Sequence, residues 1–351
     1  MESSTGKYYQ ALDHIRAAAV FVVFVWHFNH FDNGQLASPL VFPLSLFTEG
    51  HTGVAIFMVL SGYLFAKLLG NKKINYPVFL YNRGLRLLPL LVCVLLIIAA
   101  QAYVDDKLNA PFFIHLLKGF VLPTLPNGGW SITVEFHFYI ILPVLLITAI
   151  KFPNLLMFSL IVFVGARVGF YILVGEVQSV SYWTIIGRID QFLLGIIGFK
   201  LKDQITGKKY LALPIAFFFL VFWFYFDTLG GFYNPEANVT NKALWIIIPT
   251  IEGISYAFLI AWYDKCSRPS NALISRFIAI VGNYSYSIYL LHFFFVFEIS
   301  EFINSKIIAL SNPYIVLLAA IPSFLVILPI SFISFKLIEA PFLRFRKSYL
   351  R

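Results

Sequence analysis

Long apolar runs cut by short polar turns recur from one end of the chain to the other. They predict ten helices able to cross a hydrocarbon core, at 10–29, 53–70, 87–104, 130–150, 154–174, 183–201, 210–227, 244–263, 277–299 and 314–338. A shorter apolar piece, 111–122, ends at Pro123 and is expected to be interfacial or re-entrant. No repeat, linker or low-complexity tract divides the chain. The pattern predicts an all-α integral membrane protein: a bundle of about ten transmembrane helices forming a single domain over 1–351. The leading MESSTGKYYQ lacks a cleavage pattern and the first run carries charges, so that run reads as a retained span and not a signal peptide.

Composition narrows the picture. The chain is 60% hydrophobic and 12% charged, too apolar for a soluble protein of 351 residues. Its net charge of +9 is a topology signal. Of 26 Lys and Arg, 19 fall on one side of the predicted spans, and Lys107, Lys118, Lys242 and Lys306 on the other. Arg16, Arg167 and Arg188 lie within spans. By the positive-inside rule both termini are cytoplasmic, and nucleic-acid binding has little support. Cys93 lies in an apolar run and Cys266 in a basic loop, so neither a disulfide nor a metal motif is expected.

The polar residues inside the spans are the candidates for chemistry, because ionisable groups are costly there. Arg16 and His27 in LDHIRAAAVFVVFVWHF are eleven positions apart. On a helix they leave the same face, roughly 16 Å apart in height. His27, Ser131, Glu135 and His292 are expected toward the outer surface, and Arg167, Arg188 and Asp190 nearby, around a cavity open to the external side. At the inner face Arg83 and Arg86 stand at i and i+3, with Lys72 and Lys73 upstream, a pattern suited to phosphate groups. A ligand with a phosphorylated head and a long arm, such as coenzyme A, fits that layout. The plainer roles are positive-inside anchors for Arg83 and Arg86, a structural Arg16 paired with Asp13, an interfacial His27, and Glu135 paired with Arg167 or Arg188. Ser131 is expected to be the N-terminal cap of its helix.

Seven motifs in order resemble the acyltransferase-3 family of membrane-bound acyltransferases, which acylate sugars and some other hydroxyl compounds. They are LDHIRAAAVFVVFVWHF, GVAIFMVLSGYLF, YNRGLRLLPL, GGWSITVEFHFYIILP, IDQFLLGIIG, GNYSYSIYLLH and IEAPFLRF. The resemblance implies acyl-CoA as donor, acetyl-CoA above all, with no metal. It implies a hydroxyl of an extracytoplasmic or lipid-linked glycan as acceptor, in a bacterial cytoplasmic membrane. It also implies a catalytic His27 with Arg16 and Glu135, and Arg83, Arg86 and Arg16 on the cofactor. On that basis His27 acts as general base or carries the acyl group briefly, with Glu135 orienting it. Arg188, Asp190, Ser131 and His292 are expected at the acceptor. Two departures stand out. Ala55 follows Gly53 and Val54 where many members carry an acid, and the hydrolase-like domain that many polysaccharide acetylases carry is not expected after IEAPFLRFRK. The chain is therefore expected to complete transfer alone or to hand the acyl group to a separate extracytoplasmic transfer protein. The alternative is a transporter or flippase for an anionic or glycolipid substrate.

Overall fold

A computed structural model describes residues 9–31, 40–69, 72, 74–205, 209–234, 238–266 and 272–349. Lys7, Lys73, Lys208, Arg268 and Arg351, used above to orient the chain, lie outside them, as do the side chains of Lys209 and Cys266. In chain order the helices are α1 (Gln10–Asn29), α2 (Ser45–Thr48), α3 (Thr52–Leu69), α4 (Tyr76–Val104), α5 (Ala110–Gly119) and α6 (Gly129–Lys151). Then come α7 (Pro153–Val174), α8 (Gln178–Trp183), α9 (Ile185–Ile205), α10 (Lys209–Thr228), α11 (Val239–Leu244) and α12 (Ile248–Cys266). The last are α13 (Leu273–Asn283), α14 (Ser285–Leu291), α15 (Val296–Lys306), α16 (Pro313–Ser334) and α17 (Ala340–Leu343). A 3-10 turn, His292–Phe294, follows α14, and a π turn, Phe335–Glu339, joins α16 to α17.

Among the described residues seven helical segments are long and apolar enough to cross a membrane: α1, α3, α4, α6, α7, α10, and α16 continued through α17. The bent pair of α13 and α14 makes an eighth. The ten expected spans exceed this number because two of them fall on α9 and α12. Those helices carry Arg188 and Asp190, and Glu252 and Asp264, and do not meet the apolar criterion. The expected run at 277–299 is not one helix. It bends by 56° at Tyr284, just after Gly282 and Asn283, two weak helix formers. The predicted span at 87–104 is the C-terminal part of a longer α4, so Arg83 and Arg86 are helical. The interfacial piece is α5, exposed along most of its length.

The centre of the bundle is α3, 78% of whose apolar window is buried, whereas α7 at 6% lies at the periphery. Close approach fixes the centre. A Cβ on Gly62 of α3 would stand 2.0 Å from the Phe192 carbonyl of α9, and one on Gly195 of α9 2.1 Å from the Val59 carbonyl of α3. Helices in lipid gain little from apolar burial against one another, so such backbone contact supplies much of their association. The same device brings α13 to α1, where a Cβ on Gly282 would lie 1.8 Å from the Asp13 carbonyl. That contact sets α14, and the turn after it, beside the far end of α1.

Candidate active site

Five elements enclose a narrow cavity of about 100 Å³. Helix α1 contributes Arg16, α3 contributes Phe57 and Ser61, α4 contributes Arg83 and Arg86, α6 contributes Ser131 and Glu135, and α14 contributes Tyr289. The sequence-predicted cofactor residues Arg16, Arg83 and Arg86 thus converge in one space, with Glu135 and Ser131 on its wall. Arg16 is ion-paired to Asp13, one turn away on its own helix. Arg83 lies over the rings of Phe65 and Phe79, at 5.3 and 5.5 Å, and its buried Nε has no hydrogen-bond partner among the described residues.

A fourth arginine arrives from the C-terminal tail. Asn82 of α4 brackets Lys347, donating from Nδ2 to its carbonyl at 2.7 Å and accepting from its N–H at 3.1 Å. The Asn75 N–H donates to the Tyr349 carbonyl at 2.8 Å, and the Tyr349 ring packs on Phe79. This strap holds Arg346 within electrostatic reach of Arg83 and Arg86. Burial, together with those two cations, pulls the Arg346 guanidinium down to about 10. Gathered like charges of this kind are relieved by a bound anion. Sequence alone gave Arg346 as one more basic residue of an inner-side run; the fold makes it a neighbour of the pair. Glu339, in the π turn, faces Arg86 electrostatically and accepts a hydrogen bond from Ser287 Oγ.

Glu135 is not at His27. Its carboxylate accepts from Tyr139 Oη one turn below, the i, i+4 spacing of one helical face, and from Ser61 Oγ at 3.3 Å. Nor is Ser131 the cap. The cap is Gly128, at φ +75°, and Ser131 Oγ donates to its carbonyl at 2.8 Å. Gly128 must be small as well as left-handed, since a Cβ there would meet the Tyr289 ring at 2.8 Å.

The partner of His27 is His292. Its Nε2 lies 3.2 Å from His27 Nδ1, and both rings are buried. The hydrogen bonds assign the tautomers. His292 Nδ1 donates to the Tyr289 carbonyl at 2.7 Å, so its Nε2 carries a lone pair. His27 Nδ1 donates to the Val23 carbonyl at 3.0 Å and faces that lone pair. The remaining nitrogen of His27, Nε2, is then the basic one. Trp26, Phe293 and Phe297 surround the ring. Tyr289 stands between this pair and the arginine cavity. Its ring lines the cavity, lies 6.0 Å from the His292 ring, and its hydroxyl meets the Gly128 carbonyl at 3.4 Å. The signal was present in GNYSYSIYLLH, where Tyr286, Tyr289 and His292 recur every third residue.

Arg188 and Asp190, expected at the acceptor, do not line the cavity. Asp190 accepts from Arg167 Nη2 at 2.8 Å and Thr250 Oγ1 at 2.6 Å, fully buried between α7, α9 and α12. Arg188 donates to the Tyr182 carbonyl and pairs with Glu252 at 3.4 Å, its guanidinium over the Tyr182 ring. The buried arginines expected near Glu135 are thus matched to acids on other helices.

A family profile described as an acyltransferase domain matches residues 9–333. A protein of Staphylococcus aureus (strain MRSA252) named "Putative O-acetyltransferase SAR0937" is 26% identical over 98% of this chain and 60% of its own length. O-acetyltransferase OatA of S. aureus (strain NCTC 8325) is 27% identical over 95% of this chain and 57% of its own. The chain therefore spans about three fifths of the length of the curated relatives it matches. No solved structure matches it significantly. With the profile running from the first turn of α1 to the end of α16, this multi-pass helical membrane protein belongs to the acyltransferase-3 family.

Proposed function

We propose that the protein is a membrane O-acyltransferase that moves an acyl group, in the first instance acetyl, from cytoplasmic acyl-CoA to a hydroxyl of an extracytoplasmic or lipid-linked sugar in a bacterial cytoplasmic membrane. One observation carries the proposal. The cavity lined by Arg16, Arg83 and Arg86 is also lined by Tyr289, whose ring lies 6.0 Å from that of His292, the partner of His27. At about 100 Å³ it is narrow beside typical ligand sites of roughly 300–1,000 Å³. It suits the arm and thioester of the donor, with the nucleotide outside at the strap that carries Arg346.

His27 Nε2 takes the proton of the acceptor hydroxyl as its oxygen attacks the thioester carbonyl. The carbon–sulfur bond breaks, and the imidazolium returns the proton to the departing thiolate. The His27 Nδ1–H is shared between the Val23 carbonyl and His292 Nε2, and the two acceptors together steady the imidazolium, the place a carboxylate holds in a hydrolase triad. Arg16 steers the arm, and Arg83 and Arg86 hold phosphate groups. Glu135, joined to Tyr139 and Ser61, shapes the cavity wall and offsets part of its positive charge. The test is transfer from labelled acetyl-CoA in sealed membrane vesicles, with His27→Ala and Arg16→Ala proteins beside the wild type. Loss of acylated product in both is expected, and undiminished product from His27→Ala overturns the proposal.

A further inference from the structure

On the other side of α1 lies a second, wider space of about 630 Å³. Ala18 and Phe21 of α1, Trp262 of α12, Phe277 of α13 and Ile321 and Phe324 of α16 line it. Its polar groups sit largely at one end and are engaged. His14 Nδ1 meets Tyr263 Oη at 2.8 Å, and His14 Nε2 the Ser275 carbonyl at 2.8 Å. Tyr256 Oη is held by Thr52 at 2.7 Å. The Trp262 indole N–H is buried without a hydrogen-bond partner among the described residues. A polar ligand would find almost nothing to bind here.

Two features identify the occupant. The rim residues Phe277, Ile321 and Leu325 are 48%, 44% and 45% exposed, so the crevice opens onto the apolar surface that faces lipid tails. At its His14 end, the residue before Phe277 is the exposed Arg276. An apolar crevice continuous with the bilayer fills with hydrocarbon, and a cation at its mouth favours an anionic head group. We propose that this crevice is a lipid site, holding one acyl chain of an anionic glycerophospholipid along Ala18, Phe21 and Phe324 with the phosphate beside Arg276. The chain would brace the face of α1 opposite Arg16.

The probe is phosphatidylglycerol with brominated chains, which quenches nearby tryptophan. The purified full-length protein is placed in nanodiscs of phosphatidylcholine, and the Trp262 signal is taken as the difference from a Trp262→Phe protein. Quenching is expected to saturate at a low mole fraction of the probe. Ala18→Phe, which fills the crevice, weakens the saturable component at least tenfold. Arg276→Gln, at an exposed position that leaves folding intact, weakens phosphatidylglycerol binding about fivefold and leaves brominated phosphatidylcholine unaffected. Quenching that rises only in proportion to the probe, or that survives Ala18→Phe in a normally eluting protein, overturns the site. Saturable quenching by a brominated polyprenyl phosphate or long-chain acyl-CoA, without any by phosphatidylglycerol, overturns the occupant. None of these readouts involves acyl transfer, so their failure leaves the proposed activity untouched.

Discussion

His292 Nε2 faces His27 Nδ1 at 3.2 Å, joining residues 265 positions apart in the chain. That relationship ties the basicity of one ring to the tautomer of the other. Replacing His292 by Phe keeps the ring volume and removes the acceptor. A hydrogen bond to a charged group contributes about 1.5–3 kcal/mol, so kcat should fall roughly ten- to a hundredfold with the donor KM unchanged. His27→Ala should cost about 10²–10⁴ in kcat. A His292→Phe protein with wild-type kcat would show that the contact is packing only.

The arginine cluster predicts a different kinetic signature. Arg83→Ala, Arg86→Ala and Arg346→Ala should each raise the KM for acetyl-CoA about ten- to a hundredfold and leave kcat within a few-fold. Steady-state kinetics in vesicles over a range of donor concentrations separates the two constants. An unchanged KM in Arg346→Ala, beside a raised one in Arg86→Ala, would remove the tail strap from the donor site.

Breaking the Arg167–Asp190 pair should cost stability and not donor affinity. Asp190→Ala strands a buried guanidinium, with an expected loss of about 3–5 kcal/mol. The double variant Arg167→Met, Asp190→Leu should recover most of it. Thermal unfolding in detergent measures both. If Asp190→Ala unfolds like the wild type but raises the acceptor KM, Asp190 serves the substrate after all.

Stability should also respond to pH through the loop end of the bundle. Burial lowers the His30 imidazole from its ordinary 6.5 to about 4, only partly opposed by its bond to the Trp26 carbonyl at 2.8 Å. The folded state thus binds fewer protons than the unfolded one. The contribution, roughly 3 kcal/mol, is complete above pH 6.5 and lost as pH falls through about 4. Burial, and the carboxyl of Asp227 beside it, push Glu49 well above the usual carboxylate range. Its contribution has the opposite sense, complete below about 4.5 and lost as pH rises through the raised value. The two senses oppose each other between pH 4 and 7, and comparison with His30→Gln isolates the first: the wild type should lose more unfolding temperature toward pH 4 than that variant does. An unchanged acid slope in His30→Gln would place the titrating group elsewhere.

What the sequence revealed was largely local. The length of an apolar run fixes a helix, so α1 and α7 match their expected spans within a residue at either end. Arg83 and Arg86 at i and i+3 announced a phosphate-suited pair, and the fold adds Arg16 to them in one cavity. What it concealed depends on which helices touch. Glu135 found Tyr139 on its own helix, and His27 found a histidine at the far end of the chain. Arg188 and Asp190 looked like site residues because charge in a span is costly. Their partners, Glu252 and Arg167, lie on α12 and α7, and no spacing rule reports that. The break at Tyr284 hid inside a run apolar enough for one helix, and it is that break which sends α14 toward α1.

The glycines of α3 give the wall between the two cavities a particular character. At Gly53 a Cβ would lie 2.6 Å from the Ala19 carbonyl of α1, so the two helices meet backbone to backbone. Arg16 and Phe57 face one space, and Ala18 and Ile56 the other. Val23 of α1 packs on the same glycine, so α1 and α3 form a thin, close-set partition. On the proposed roles of the two spaces, the thickness and tail chemistry of the surrounding bilayer would become a setting on the width of the donor cavity, and a membrane change that never meets the acyl group would tune its transfer.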